Sequence, residues 1–454
     1  MQVSLGVAVG GHEFGVLAAA CVWFPRPNVL EEQLILNRIA DVVVIGTGAF
    51  GASVAYHLAA EGAGRVVLLD RAELASQTSP RAAGLTQQIR PEPEMTRLAM
   101  RSVEKIQRFS DETGEPLAYV QSGSVKMART EADAWQIRSE IEAGPNFGLK
   151  IHAITSEELD DLAPFARAHG VLAMWCTPSD LHTEPAQIPL GYARAARRLG
   201  TEVMLNTPVV AINLASGSVS GVVTSDGVIE APIVVDAAGA WTRLVGEQLG
   251  LRIPVVSMRH QLMITEPIAG VLPHHAICRV IDANVYVRPE QGGLMLGGYE
   301  RDPMPYRMDA LPASFQIHDL PLDGAVLDRL AASVRGQFPV FAQVGRRALR
   351  GGLPTMTADG LPIVGPIPAA AGLFVASGCC VGGLTVSPAI GELLAREILS
   401  GRPEPLLAGL RMNRFGSEVA DDNDLQRACI EMYANHYAGM PQIERKPASG
   451  ISRS

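Results

Sequence analysis

An α/β region followed by an α+β region with a mixed, largely antiparallel sheet is the fold class the sequence predicts. Three observations carry that reading. A strand, a glycine turn, a helix and a second strand succeed one another over residues 41–70; apolar runs over 254–298 alternate with the period of antiparallel strands; a strand, a glycine loop and a helix recur over 372–399. At 454 residues the chain exceeds one simple core and suits two domains sharing a discontinuous sequence. With 47% hydrophobic and 19% charged residues, it is globular in composition.

Residues 1–37 are apolar around 15–23, lack a basic leading stretch and are interrupted by His12 and Glu13, which fits neither a secretory signal nor a membrane span. They are read as a poorly ordered N-terminal extension. Residues 42–45 (VVVI) form the continuous branched run of a strand buried on both faces. Gly46, Gly48 and Gly51 then match G-x-G-x-x-G, in which the first glycine makes a tight turn, the second admits a pyrophosphate and the third lets helix and strand pack closely. Asp70 stands roughly 20 residues further on, where a carboxylate accepts from ribose hydroxyls. The combination predicts a Rossmann-like dinucleotide site with phosphates at a helix N-terminus.

Further along, the pattern predicts a helix over about 92–113, a strand at 123–128, helices at 131–143 and from Ser156 to 162, and a helix over 184–199. Strands follow near 203–205, 209–214, 219–223 and 228–235, then the antiparallel set, a helix over 320–338, and the glycine loop leading into a helix at 387–399.

The formal charge of −9 argues against nucleic acid, whose binding needs a strong positive field. The six cysteines (Cys21, Cys176, Cys278, Cys379, Cys380, Cys429) form no C-x-x-C unit, which suits a reducing, cytoplasmic setting, and the dispersed histidines predict no metal.

These segments, taken in order, resemble the D-amino-acid-oxidase-type flavoenzymes, in the sarcosine and dimethylglycine oxidase or dehydrogenase branch. The blocks are the glycine fingerprint, TSPRAAGLTQQIR, TPVVAI, VVDAAGAWTRLVG, MRHQLMITEPI, NVYVRPEQGGLMLGGYE, GLPTMTADGLPIVGP and the last glycine loop. The resemblance implies FAD in a glutathione-reductase-like domain (38–121, 184–257, 346–410), a substrate domain (122–183, 258–345) and a helical tail (411–454). It assigns to FAD Gly46, Gly48, Phe50, Gly51, Asp70, Arg71, Ser79, Arg81, Gly84, Val209, Gly239, Trp241, Gly352, Gly382, Gly383, Leu384 and Thr385. Val209 would meet the adenine through its backbone, and the amides at 382–385 would steady negative charge at the pyrimidine edge of the reduced flavin. As an alternative, Val209 and Trp241 are core residues and the loop is an ordinary strand-to-helix turn.

Two departures matter. Where dimethylglycine dehydrogenases carry a flavin-bonding histidine stands Arg81, and where monomeric sarcosine oxidases carry a flavin-bonding cysteine stands Gly352, so non-covalent FAD is expected. Met295 occupies the position of a lysine that helps oxygen accept electrons, which brings an electron-transfer protein or quinone into consideration beside oxygen.

At the substrate end, His260 and Tyr286 match residues facing the flavin in the dimethylglycine branch, to position the amine or relay a proton. Arg90 and Arg288 are the candidate carboxylate holders, although a second arginine of the related motif is Gln87 here. Against these roles stand a strand-end hydrogen bond for His260, a sheet-filling Tyr286 and a solvated Arg90. The implied activity is oxidation of a small secondary or tertiary amine such as an N-methyl amino acid, with hydride passing to flavin N5 and imine hydrolysis releasing formaldehyde. Without the folate-binding region of larger dimethylglycine enzymes, formaldehyde is expected to leave or pass to another subunit. The alternatives are an opine, D-amino-acid or proline-type dehydrogenase subunit and a non-catalytic regulatory homologue.

Overall fold

The computed structural model describes residues 38–416, 419 and 421–437. The extension expected over 1–37, Cys21 and the tail from 438 lie outside the described residues. Six strands form a sheet in the order Ile363–Pro366, Leu373–Ser377, Ile233–Asp236, Val42–Ile45, Val66–Leu69, Glu202–Met204. All neighbours are parallel except the first pair. Val42–Ile45 and Val66–Leu69 are buried at every position, as strands covered on both faces must be. The helix Ala49–Ala60 packs on one face with Gly383–Ser400 and Gln187–Arg198, burying Val54, Leu58, Ile188, Ile390 and Leu394 in one core.

Local boundaries move where backbone chemistry overrides periodicity. The single strand expected over 228–235 is two, Gly227–Glu230 and Ile233–Asp236, in different sheets, because Pro232 between them has no N–H for a ladder. The helix expected over 92–113 is Pro93–Gln107 and Phe109–Thr113, ended by left-handed Gly114. The helix expected over 320–338 shortens to Gly324–Ser333, with Asp323 as N-cap. Ser156 opens its helix but does not cap it: Thr155 does, in a reciprocal capping box with Glu158.

The second sheet has eight strands: Arg346–Gly352, His260–Thr265, Gly293–Gly298, Val285–Glu290, Ile277–Val280, Ser124–Ala128, Ala173–Thr177, His152–Ala153. Only Ile277–Val280 with Ser124–Ala128 is parallel, so the sheet is mixed and largely antiparallel. Arg346–Gly352, grouped by sequence with the nucleotide half, pairs with His260–Thr265 and is the edge of this sheet instead. The tail contributes a helix, Asp422–Ala434, capped by Asp421. No helix among the described residues is long and apolar enough to cross a membrane.

Candidate functional site

The glycine turn is built as its spacing predicts. Gly46 has φ +104°, and a side-chain carbon there would fall well under 3.0 Å from Ala237 O; one on Gly51 would strike Gly46 O just as closely. Both positions therefore require glycine. A side-chain carbon on Gly48 would lie 3.3 Å from Ser79 Oγ, and that hydroxyl accepts from the Ala49 N–H at 3.0 Å. Ser79 thus stands at the positive end of the Ala49–Ala60 helix, where a phosphate would lie. Phe50, in the first helical turn, is buried and offers the site only its backbone.

Asp70 does more than wait for a ribose. Its Oδ2 accepts from the Thr47 N–H (2.7 Å) and hydroxyl (2.6 Å), and its Oδ1 from the Ala72 N–H (2.9 Å), so it ties the glycine turn to the second strand. Burial pushes its pKa up, against the pull of these donors. A carboxylate has about four acceptor positions, which leaves room for a further hydroxyl. Thr207 N–H donates to Asp70 O at 2.8 Å, which brings the start of the strand Val209–Ala215 beside this carboxylate. Arg71 lies over the Trp241 ring at 4.6 Å and donates to Ala313 O, while Gly239 has φ +58° and open space where a side chain would go. Gly84 has a different reason to be glycine: it crosses Thr183, whose N–H donates to Gly84 O at 2.7 Å.

The loop before Gly383–Ser400 is strained. Cys380 and Val381 are consecutive non-glycine residues with φ +43° and +64°, a state that costs roughly 1–3 kcal/mol each and marks functional loops. Thr355 holds it, accepting from Cys380 N–H at 2.8 Å through its carbonyl and from Cys379 N–H at 3.2 Å through its hydroxyl. Gly382 caps the helix, presenting the Gly383 and Leu384 amides at its positive end, and Thr385 donates to Leu85 O at 3.2 Å. Gly352 and the turn carrying Arg81 come together at Thr78. Gly352 abuts Thr78, whose hydroxyl accepts from Leu353 N–H at 3.2 Å, and Arg81, three residues on, folds back onto Ser76 O and Gln77 O. Neither residue offers a nucleophile.

One face of the eight-stranded sheet carries Gly297, Tyr286, Arg279, Lys126 and Trp175, neighbours by register across five strands, with His260 on the same face two residues from Leu262, the partner of Gly297. Tyr286 reaches His260 by lying across Gly297, where a side-chain carbon would collide with the phenol. His260 Nε2 and the Tyr286 hydroxyl are 2.9 Å apart, and His260 Nδ1 is 2.7 Å from the hydroxyl of Tyr433. Burial lowers the His260 pKa to about 4 and raises that of Tyr286, so both are neutral near pH 7. Tyr299, stacked on His436 at 4.0 Å, and Tyr437 complete an aromatic wall.

The two candidate arginines differ. Arg90 donates through Nε to Gln87 O at 3.0 Å, its terminal nitrogens have no acceptor among the described residues, and one faces Gly382 of the strained loop. Arg288 is spent: it donates to Ala83 O (2.8 Å) and Pro289 O (2.6 Å) and pairs with Glu290 at 2.7 Å, which removes it as a carboxylate holder. Arg279, fully buried, donates to Thr86 O (2.6 Å) and lies beside the Tyr437 hydroxyl, with Nε and one terminal nitrogen lacking a close acceptor among the described residues. Lys126 is paired with Glu140 at 2.6 Å, and Asp180 accepts from Ser124 and Gln88. Arg90, Arg279 and Lys126 thus outnumber Asp180 and Glu140 by one charge, a bias toward an anionic group. Met295 is buried among Leu262 and Ile264 against Ala83.

Sequence reading missed Tyr433, His436, Tyr437 and Gly297. The aromatic cluster Y-x-x-H-Y at 433–437, which straddles the end of the helix Asp422–Ala434, was the available signal.

Comparison with known proteins places this geometry. A family model described as FAD dependent oxidoreductase matches residues 41–397. Human mitochondrial sarcosine dehydrogenase is 30% identical over 412 residues, covering 89% of this chain and 44% of that protein. The 4-methylaminobutanoate oxidase (formaldehyde-forming) of Paenarthrobacter nicotinovorans is 28% identical over 416 residues, 91% of this chain and 50% of that one. The chain spans about half the length of these curated relatives. Among solved structures, the L-proline dehydrogenase from P. horikoshii superposes with a TM-score of 0.75 at 24% identity, covering 84% of this chain and 98% of that one, a likeness of fold.

Proposed function

Since the chain belongs to the FAD dependent oxidoreductase family, we propose that it oxidises a small secondary or tertiary amine bearing a carboxylate, an N-methyl amino acid, with release of formaldehyde once the imine hydrolyses. The glycine cradle at Gly46 and Gly51, the helix end at Ser79 and the open space beside Gly239 fit an adenine dinucleotide. Bound there, FAD accepts the hydride lost from the carbon beside the amine nitrogen.

One observation carries the reading: Tyr286, the partner of His260, shares a buried cluster with Cys380, and the unpaired end of Arg90 faces Gly382, so both border the loop at 379–385. Arg90 is the group to hold the substrate carboxylate by a two-pronged contact, and the excess of buried positive charge disfavours the ammonium form of the amine. His260 and Tyr286 receive the nitrogen and its proton in a site closed to water by Tyr299, His436 and Tyr437. With neither Arg81 nor Gly352 able to bond a flavin, the cofactor is held without a covalent link. Met295, apolar and buried, gives oxygen no cation, which supports transfer to a protein or quinone acceptor.

The test is an anaerobic screen of N-methylated and D-amino acids for bleaching of the flavin spectrum, followed by formaldehyde detection. Bleaching and formaldehyde with an N-methyl amino acid are expected. Bleaching by D-alanine or an opine alone would overturn the demethylating assignment, and a colourless purified protein would favour a non-catalytic homologue.

A further inference from the structure

The hydrogen bonds around His260 have a direction, and direction decides which amine the site accepts. Tyr433 has one hydrogen and two neighbours. Its hydroxyl donates to Arg259 O at 3.2 Å, a carbonyl with no other donor among the described residues, and lies 2.7 Å from His260 Nδ1. Both contacts are satisfied only if Nδ1 carries the ring proton and donates to the Tyr433 oxygen. Nε2 then has a lone pair and accepts from the Tyr286 hydroxyl at 2.9 Å. That hydroxyl has no second partner among the described residues, so its oxygen shows the substrate lone pairs and no proton.

We propose that Tyr433, by fixing the His260 tautomer, makes Tyr286 a pure acceptor and so selects secondary over tertiary amines. The proposal rests on the amine-oxidising reading and narrows its substrate class. A neutral secondary amine has one N–H, which it donates to Tyr286, leaving its nitrogen lone pair unengaged to assist loss of hydride from the adjacent carbon. A neutral tertiary amine has no N–H and meets lone pair with lone pair. Were the tautomer reversed, Nε2–H would donate to Tyr286 and the phenol proton would turn to the substrate, where it would hold a tertiary amine but engage the very lone pair the reaction needs. Tyr433 is a positioning residue, acting through His260; Tyr286 is the group that touches substrate. Because burial holds the His260 pKa down to about 4, the imidazole does not take up an ammonium proton; the amine enters as its neutral form, its proton left in bulk water.

Sarcosine and N,N-dimethylglycine share a carboxylate and differ in that one N–H, and they are the probes. Reduction of the holoenzyme by sarcosine should exceed that by N,N-dimethylglycine by about tenfold or more in kcat/KM, the value of one well-made hydrogen bond to a polar group. In Tyr433→Phe the ratio should collapse to within about threefold, with flavin content unchanged. A merely structural tyrosine would lower both rates together and leave the ratio alone. A wild-type ratio near one or favouring the tertiary amine, or an unchanged ratio in the variant, overturns the proposal while the amine-oxidising reading stands. If neither amine reduces the flavin, that reading fails instead. Should Tyr433→Phe not fold, nitrogen-15 NMR of imidazole-labelled holoenzyme, with His260→Gln for assignment, decides alone: a protonated Nδ1 and bare Nε2 support the proposal, and the reverse ends it.

Discussion

Replacing Asp236 with asparagine should remove a pH-dependent loss of stability that the wild-type protein carries. Asp236 ends the strand Ile233–Asp236, directly before the Ala237 carbonyl that Gly46 must clear. Its Oδ1 accepts from Ala238 N–H at 3.0 Å and the Thr242 hydroxyl at 3.3 Å, but its Oδ2 is buried with no partner among the described residues. Burial lifts its pKa from 3.8 to about 7, against these two donors. In the unfolded chain the group ionises freely, so folding is favoured while it stays protonated and is penalised increasingly as pH rises from about 4 to about 7. At about 1.4 kcal/mol per pH unit the full penalty is about 4 kcal/mol, of which about 2.5 kcal/mol falls between roughly pH 5 and pH 8. An asparagine amide keeps one acceptor for Ala238 and leaves its NH2 equally unpartnered at every pH, so its cost has no slope. The assay is thermal unfolding of the holoenzyme and of Asp236→Asn at both pH values. For a chain of this size the wild type should lose about 3 °C of Tm relative to the variant on going to the higher pH. Parallel Tm curves for the two proteins would refute the reasoning, because Asp236 would then be ionised, with a partner, in the folded state.

Three further outcomes follow from the site. Gly51→Ala should purify without flavin, since its new methyl would meet Gly46 O, and absorbance near the flavin bands checks it. Gly297→Ala should keep its flavin but lose roughly a hundredfold in kcat as the Tyr286 phenol is pushed off His260, read by stopped-flow reduction. Arg90→Met should raise KM for carboxylate substrates about a hundredfold or more, as expected for removing a buried ionic contact of about 3 kcal/mol, with little change for an uncharged amine of the same size; equal losses on both would deny Arg90 its role.

The nucleotide half was legible because each of its signals is local. A branched run, three glycines at fixed spacing and an acid at the next strand end lie within 41–70, and sterics at Gly46 and Gly51 leave no other residue possible. The substrate half was legible only in part, because its site is assembled from register. That Tyr286 can reach His260 depends on Gly297 lying between them on a third strand, a fact of pairing that no period reveals. Arg288 read as a free cation because sequence shows its charge and not Glu290 folding onto it two residues away. Strand Arg346–Gly352 was grouped with the wrong half for the same reason, its partner being some ninety residues earlier. Pro232, by contrast, was a visible break that an apolar run around it disguised.

Tyr433 belongs to the last helix described, and its contact with His260 spans 173 residues. The glycine turn lies against the strand at 233–236, and the helix it opens packs on Gly383–Ser400. Both the nucleotide turn and the His260 contact are therefore closed by segments distant in sequence, the kind of contact that forms slowly. A chain clipped between Gly383–Ser400 and Asp422–Ala434 would keep the glycine turn and its packing partner yet lose the hydroxyl that Tyr433 holds against His260.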